Sequence, residues 1–215
     1  FGADYGITTG TTVLVYGGDP VAAYRVAVIL RYMGVKDVRV LNGGFASWTA
    51  AGFEVETKAH EKSPVASFGA KVPGNRGYII DTPEAKALLA DRKSSKLVDI
   101  RSWDEYIGKT SGYNYISAKG RPAGSVWGHN LPDFRNLDLT MRNGAEIAAM
   151  WKDWGITPDQ RVAFYCGTGW RAAEVLIYAD VMGWKNISLY DGGWNEWTID
   201  PAHPNPIEVG EPKGK

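Results

Sequence analysis

Apolar residues along this chain fall into short runs separated by stretches with helical spacing. Arg161–Tyr165 is a compact, largely apolar run ending at a glycine-rich turn, the pattern of a strand buried on both faces. Ala172–Met182 follows with apolar residues three and four apart, which predicts a helix closed by Gly183. Ile187–Tyr190 reads as the next strand, and Gly192-Gly193 turns the chain into a last short helical segment. Upstream, Tyr78–Ile80 and Lys96–Ile100 read as two further strands, with Thr82-Pro83 opening a helix between them. Ser102 and Glu105 have the spacing of a capping box, in which side chains satisfy amides that the helix start leaves without partners. Asn143 and Glu146 suggest the same device for a helix running through Trp154. Strands alternating with helices predict an α/β fold with a mainly parallel sheet.

The pattern occurs twice. Shifting the chain by 149 positions, the separation of Gly17 and Cys166, gives an ungapped match over about 45 residues. Tyr5-Gly6-Ile7-Thr8 falls on Trp154-Gly155-Ile156-Thr157, and Val15-Tyr16-Gly17-Gly18 on Phe164-Tyr165-Cys166-Gly167. Leu41-Asn42-Gly43-Gly44-Phe45 meets Tyr190-Asp191-Gly192-Gly193-Trp194, and Trp48 meets Trp197. Residues 78–215 make one complete unit, whereas 1–57 supply only the second half of another. The stretch 58–77, polar and broken by Pro64, Pro73, Gly74 and Gly77, is expected to be a linker. A half-unit leaves strand edges and an apolar face open. An N-terminal portion of the same protein, or a separate chain, is therefore expected to complete residues 1–57.

Composition narrows the chemistry. The 215 residues carry 24 basic and 24 acidic side chains, so no charge imbalance points to nucleic acid or an anionic membrane surface. No apolar run is long enough to span a bilayer as a helix, so no membrane partner is expected. The single cysteine excludes an internal disulfide. His60, His129 and His203 lack metal-ligand spacing, so no metal is expected; His129 reads as a hydrogen-bonded surface residue.

A lone cysteine is usually a small buried hydrophobe, but Cys166 stands at the carboxyl end of a predicted parallel strand, where open α/β sheets bind ligands. It opens the loop Cys166-Gly167-Thr168-Gly169-Trp170-Arg171, which runs directly into a helix. Gly167 and Gly169 let backbone N–H groups turn inward, the helix start adds positive potential, and Arg171 supplies a cation. All three favour a thiolate, the nucleophilic form of sulfur. Thr168 and Trp170 are candidates for the pocket mouth. In the first copy Gly17 and Ala22 hold the positions of Cys166 and Arg171, with Asp19 and Pro20 inside the loop, so that copy is expected to be chemically silent. It would serve as a packing partner and a wall over the active cleft.

The loop resembles the rhodanese active-site motif Cys-x-x-Gly-x-Arg. Leu97-Val98-Asp99-Ile100-Arg101 with Glu105-Tyr106 resembles the family's early "LVDVR…EY" segment, Gly120-Arg121-Pro122-Ala123-Gly124-Ser125-Val126 its "GHIPGAV" turn, and Asp191-Gly192-Gly193-Trp194 with Trp197 its closing "GGWxxW". The resemblance covers residues 78–200 and, through the repeat, 5–57. It implies a three-layer rhodanese-like fold, a multi-domain bacterial thiosulfate sulfurtransferase, and a periplasmic location with the cytoplasm as the alternative. It implies a cycle in which thiosulfate or a persulfide donor loads Cys166 and the sulfur passes to a thiol or cyanide, with no cofactor. Cysteine phosphatases of the same architecture have five residues between cysteine and arginine; this loop has four, a ring better suited to sulfur than to phosphate. A non-catalytic binding or redox-sensing module is the other alternative. Asp99 and Arg101 are expected to form a structural ion pair. Arg121 is a candidate for the substrate anion, although Ala123 stands where some rhodaneses carry an arginine.

Overall fold

Strand β1 (Thr12–Val15), helix α1 (Pro20–Met33), strand β2 (Asp37–Val40) and helix α2 (Gly44–Ala50) form where the first copy of the repeat predicts them. The computed structural model describes residues 1–212, and they divide into two units. The first comprises Phe1–Tyr78 with Asn136–Met141. In it β1 and β2 run parallel, Thr12 opposite Asp37 and Val15 opposite Val40. The Asp19 carboxylate caps α1 by accepting from the Val21 amide at 2.9 Å, and Pro20 sits in the first turn, where its missing N–H costs nothing. One side of the pair is covered by α1, which buries Ala23, Tyr24, Ala27, Val28 and Leu30. On the other side Leu14 and Tyr16 remain 57% and 59% exposed.

Two boundary expectations need correcting. The stretch 58–77 is no free linker: Val65 N donates to Ala3 O at 2.9 Å, Gly74 N to Met33 O at 3.2 Å and Asn75 N to Tyr32 O at 3.1 Å, tying it to the first unit. Asn136–Met141, assigned from sequence to the catalytic domain, also belongs to the first unit, where Met141 N donates to Asn42 Oδ1 at 2.8 Å. Side-chain composition signals neither attachment, because the acceptors are mostly backbone carbonyls.

The second unit spans Ile79–Arg135 and Arg142 onward. Its elements are β3 (Ile79–Ile80), α3 (Thr82–Ala90), β4 (Ser95–Asp99), α4 (Trp103–Tyr106), β5 (Arg121–Pro122), β6 (Val126–Trp127), α5 (Gly144–Lys152), β7 (Arg161–Tyr165), α6 (Trp170–Val181), β8 (Ile187–Tyr190), α7 (Gly193–Thr198) and β9 (Ile207–Glu208). Five parallel strands lie in the order β3-β8-β7-β4-β6, and β5 pairs antiparallel with β9. Alternation along the central strand β7 separates two layers of core. Ala163 and Tyr165 join a buried cluster with Ile80, Ala85, Leu88, Leu97, Ile116, Tyr190, Trp194 and Trp197, drawing in α3 and α7. Phe164 points the other way, its ring 5.3 Å from Trp151 of α5. Each fully buried side chain of this size stabilises the fold by roughly 1.5–3 kcal/mol.

The capping box at Ser102 and Glu105 forms as expected, and a second one, Asp81 with Glu84, heads α3. Tyr78 ends a 3₁₀ turn instead of starting a strand. Asn143 caps α5, but Glu146 turns to Arg142 at 3.1 Å, and the helix stops at Lys152, short of Trp154. An arginine one turn away competes for the glutamate that the motif would send to the cap.

Candidate active site

Cys166 follows β7 in the middle of the parallel sheet, so its sulfur lies at the edge where all five strands end. The residue is buried, 1% exposed. The loop behind it turns into α6 through Gly169, whose φ of 78° is a left-handed conformation that suits glycine. Two carbonyls fix the loop's orientation: Cys166 O accepts from Trp194 N at 2.8 Å, and Gly167 O accepts from Asn195 N at 2.9 Å. Both donors are in the first turn of α7, which uses its own partnerless amides to hold the loop. This is what the closing Gly-Gly-Trp segment contributes, and the sequence reading did not foresee it. With the carbonyls drawn to α7, the amides of Gly167, Thr168, Gly169, Trp170 and Arg171 donate to no acceptor among the described residues. The result is a cup of free N–H groups at a helix start, beside a thiol. Among the described residues, no hydrogen bond to Sγ occurs.

Arg171, expected as a cation beside the sulfur, is paired with a carboxylate. Its fork is engaged by Glu105, Nη1 to Oε2 at 2.9 Å and Nη2 to Oε1 at 2.8 Å, and Nη2 also donates to the Tyr113 hydroxyl at 2.6 Å. Burial works against both charges, yet the pair prevails: the Arg171 pKa is raised and the Glu105 carboxyl lies below its usual value. Glu105 thus serves two purposes, capping α4 and neutralising Arg171. The positive potential at the cup therefore rests chiefly on the amides, although Arg171 still feels the Cys166 charge.

Tyr113 is the residue that sequence reasoning missed. A Cβ placed on Gly167 would lie 2.0 Å from its hydroxyl, so the phenol closes over the loop and occupies the room that glycine leaves. Burial, and then the nearby Cys166 charge, push its pKa up to about 12. Nothing in Ser111-Gly112-Tyr113 announces this, since a turn residue far from the motif acquires its place only through the fold.

Of the other candidates, Thr168 is half-buried and Trp170 is 47% exposed at the rim of the loop. Arg121 is a correction. It is buried in the β5–β9 pairing, where Nη2 bridges to Glu208 at 3.1 Å, Nη1 donates to Gly210 O at 2.7 Å and the guanidinium lies over the Tyr106 ring, so its terminal nitrogens serve the fold, while the buried Nε has no hydrogen-bond partner. The Asp99–Arg101 ion pair forms as expected, fully buried, at 2.6 Å. His129 is not simply a surface residue: it stacks on Trp127 with 4.4 Å between ring centroids and faces Asp133. No cluster of metal-ligating side chains occurs among the described residues. In the first unit, Asp19 places a carboxylate at the start of α1, the position equivalent to the start of α6.

The family model "Rhodanese-like domain" matches residues 3–51 and 81–200. The chain is 51% identical to the thiosulfate sulfurtransferase YnjE of Escherichia coli over 97% of its own length and 49% of the relative's. It is 33% identical to the sulfur carrier protein TtuD of Thermus thermophilus, over 89% of this chain and 70% of that protein. The crystal structure of YnjE superposes with a TM-score of 0.93 at 50% identity, covering 98% of this chain and 51% of that one. A variant of EanB, solved with a cysteine persulfide in a tetrahedral intermediate state with ergothioneine, gives a TM-score of 0.91 at 43% identity, over 98% and 54%. The chain spans about half the length of YnjE and EanB. No helix among the described residues is long and apolar enough to cross a membrane.

Proposed function

The chain belongs to the rhodanese-like domain family, and from that premise we propose that it is a sulfurtransferase carrying sulfane sulfur on Cys166 as a persulfide. The Cys166 thiolate attacks the outer sulfur of thiosulfate, or of a persulfide donor, and the donor's S–S bond breaks. The leaving group, sulfite in the case of thiosulfate, departs with the electron pair. The outer sulfur then occupies the cup of free amides, which offers fixed dipoles to its charge without reorganising. A thiol or cyanide acceptor attacks that sulfur, and Cys166 leaves as the thiolate. The observation that carries this reading is the run of five unengaged N–H groups from Gly167 to Arg171 beside a buried thiol. Two named thiosulfate sulfurtransferases, YnjE and the murine enzyme, are among the relatives and support the donor class.

Incubation with thiosulfate followed by intact-mass measurement tests it. One sulfur atom is expected to be gained, and prior alkylation of Cys166, the only cysteine, is expected to block the gain. No gain with thiosulfate or with an alkyl persulfide would leave a fold used for binding and not for transfer.

The proposal extends to the first unit, read as the later half of a silent second copy that an N-terminal portion of the same protein completes. Across the repeat, Leu14, Tyr16, Leu41, Phe45 and Trp48 correspond to Ala163, Tyr165, Tyr190, Trp194 and Trp197. In the second unit those five are buried under Ile80, Ala85, Leu88, Leu97 and Ile116, whereas in the first their counterparts line an open hollow of about 290 Å³. β7 and β8 pair on both sides, while among the described residues β1 and β2 pair only with each other. The occupant that fits is a β–α–β segment equivalent to β3, α3 and β4. Tyr16→Asp is accordingly expected to cost roughly 0.5 kcal/mol or less in this chain, where the ring is exposed, and about 2–4 kcal/mol in a longer chain that carries the completing segment. Equal small costs in both, read by urea denaturation, would count against completion on this face.

A further inference from the structure

We propose that Tyr113 is the residue that recognises the loaded form of Cys166, its hydroxyl donating a hydrogen bond to the outer sulfur of the persulfide and not to Sγ itself. The inference rests on the sulfurtransferase reading above. Three observations lead to it. The hydroxyl oxygen already accepts from Arg171 Nη2 at 2.6 Å, so its single proton is directed elsewhere. The hydroxyl stands over Gly167, the first residue of the cup, at 2.0 Å from where a Cβ would be. No hydrogen bond between it and Sγ occurs among the described residues. A second sulfur extends the side chain by about 2 Å, the length of an S–S bond.

The phenol is also held in advance. Ser111 Oγ donates to Tyr113 O at 2.9 Å and accepts from Tyr113 N at 3.3 Å, which pins the backbone of its turn. The Arg171 guanidinium lies 5.6 Å from the ring centroid, and Glu105 fixes that guanidinium in turn. A donor oriented in this way loses little freedom when the second sulfur arrives. Tyr113 keeps its proton throughout: no covalent bond to it forms or breaks, and burial disfavours the phenolate. Its effect is on the equilibrium between thiosulfate plus free thiolate and sulfite plus persulfide, which it displaces toward the persulfide.

The plain alternative is that Tyr113 only packs the turn and props Arg171. Tyr113→Phe separates the two. Protein equilibrated with mixtures of thiosulfate and sulfite is read by intact mass for the loaded fraction, and alkylation of unloaded Cys166 by iodoacetamide is timed in parallel. The loading constant is expected to fall about tenfold in Tyr113→Phe, the scale of one hydrogen bond to a charged group, while the alkylation rate stays within about twofold of the parent. An unchanged loading constant overturns the inference. So does an equal fall in both quantities, which is the mark of a disturbed loop. Failure of the parent protein to load with thiosulfate or an alkyl persulfide overturns the sulfurtransferase reading and this inference with it, whereas equal loading by parent and variant overturns only the role of Tyr113.

Discussion

Asp99→Ala is expected to destabilise the second unit by about 3–5 kcal/mol, a large share of the margin by which a domain of this size is folded. The carboxylate is wholly buried and accepts from the Arg101 amide at 2.9 Å, from Arg101 Nε at 2.9 Å, from Arg101 Nη2 at 2.6 Å and from the Tyr165 hydroxyl at 2.6 Å. Burial alone would lower the Arg101 pKa; the carboxylate more than offsets this, and the guanidinium is firmly charged. Removing Asp99 leaves that charge at 0% exposure with Gly120 O as its remaining hydrogen-bond acceptor, at 2.7 Å, and Nη1 already lacks a partner. The Tyr165 hydroxyl keeps only Ser125. The cost comes chiefly from the stranded charge, so Asp99→Ala combined with Arg101→Ala should cost clearly less than the two single losses added together. Urea denaturation of the four-member cycle checks this. Additive losses would mean that the pair is not coupled through desolvation. Arg101 also lies 4.9 Å from the ring of Trp194, on the helix that holds the Cys166 carbonyl.

Much of this arrangement is written in local sequence. Periodicity and turn residues place β7, α6 and β8 almost to the residue, because each is a strong local signal confirmed by packing on both faces of a sheet. Asp99 and Arg101 are legible as an ion pair because two residues of opposite charge flank one position at the end of a buried strand. What stays hidden depends on partners distant in sequence. Glu105 reads as a helix cap, which it is, but its second bond spans 66 positions to Arg171 and turns an apparent lone cation into a neutral pair. Tyr113 reaches Arg171 over 58 positions. Arg121 is hidden for the complementary reason: the motif fixes its neighbourhood, whereas Glu208 and Gly210, which lie outside the motif, take its terminal nitrogens.

Gly193→Ala is expected to slow sulfur loading roughly 100-fold while leaving the second unit folded, because it acts on loop position and not on the core. A Cβ at this position would meet Cys166 O at 2.5 Å and Gly167 O at 2.8 Å, both backbone atoms, closer than folded proteins allow. Gly193 also has φ 55°, which adds roughly 1–2 kcal/mol of strain for any residue with a side chain. Either the cup or the start of α7 must retreat, and the bonds from Trp194 N at 2.8 Å and Asn195 N at 2.9 Å lengthen. Once those carbonyls are released, the loop amides lose the constraint that fixes their orientation. Gly183→Ala is the control: its φ is 86°, but nothing lies within 4 Å of the added Cβ, so it pays a similar strain without touching the loop. Loading followed by intact mass should therefore be slow in Gly193→Ala and near the parent rate in Gly183→Ala. Parent-like loading in Gly193→Ala would mean that α7 does not orient the cup, and the role assigned to the closing glycine–tryptophan segment would fall.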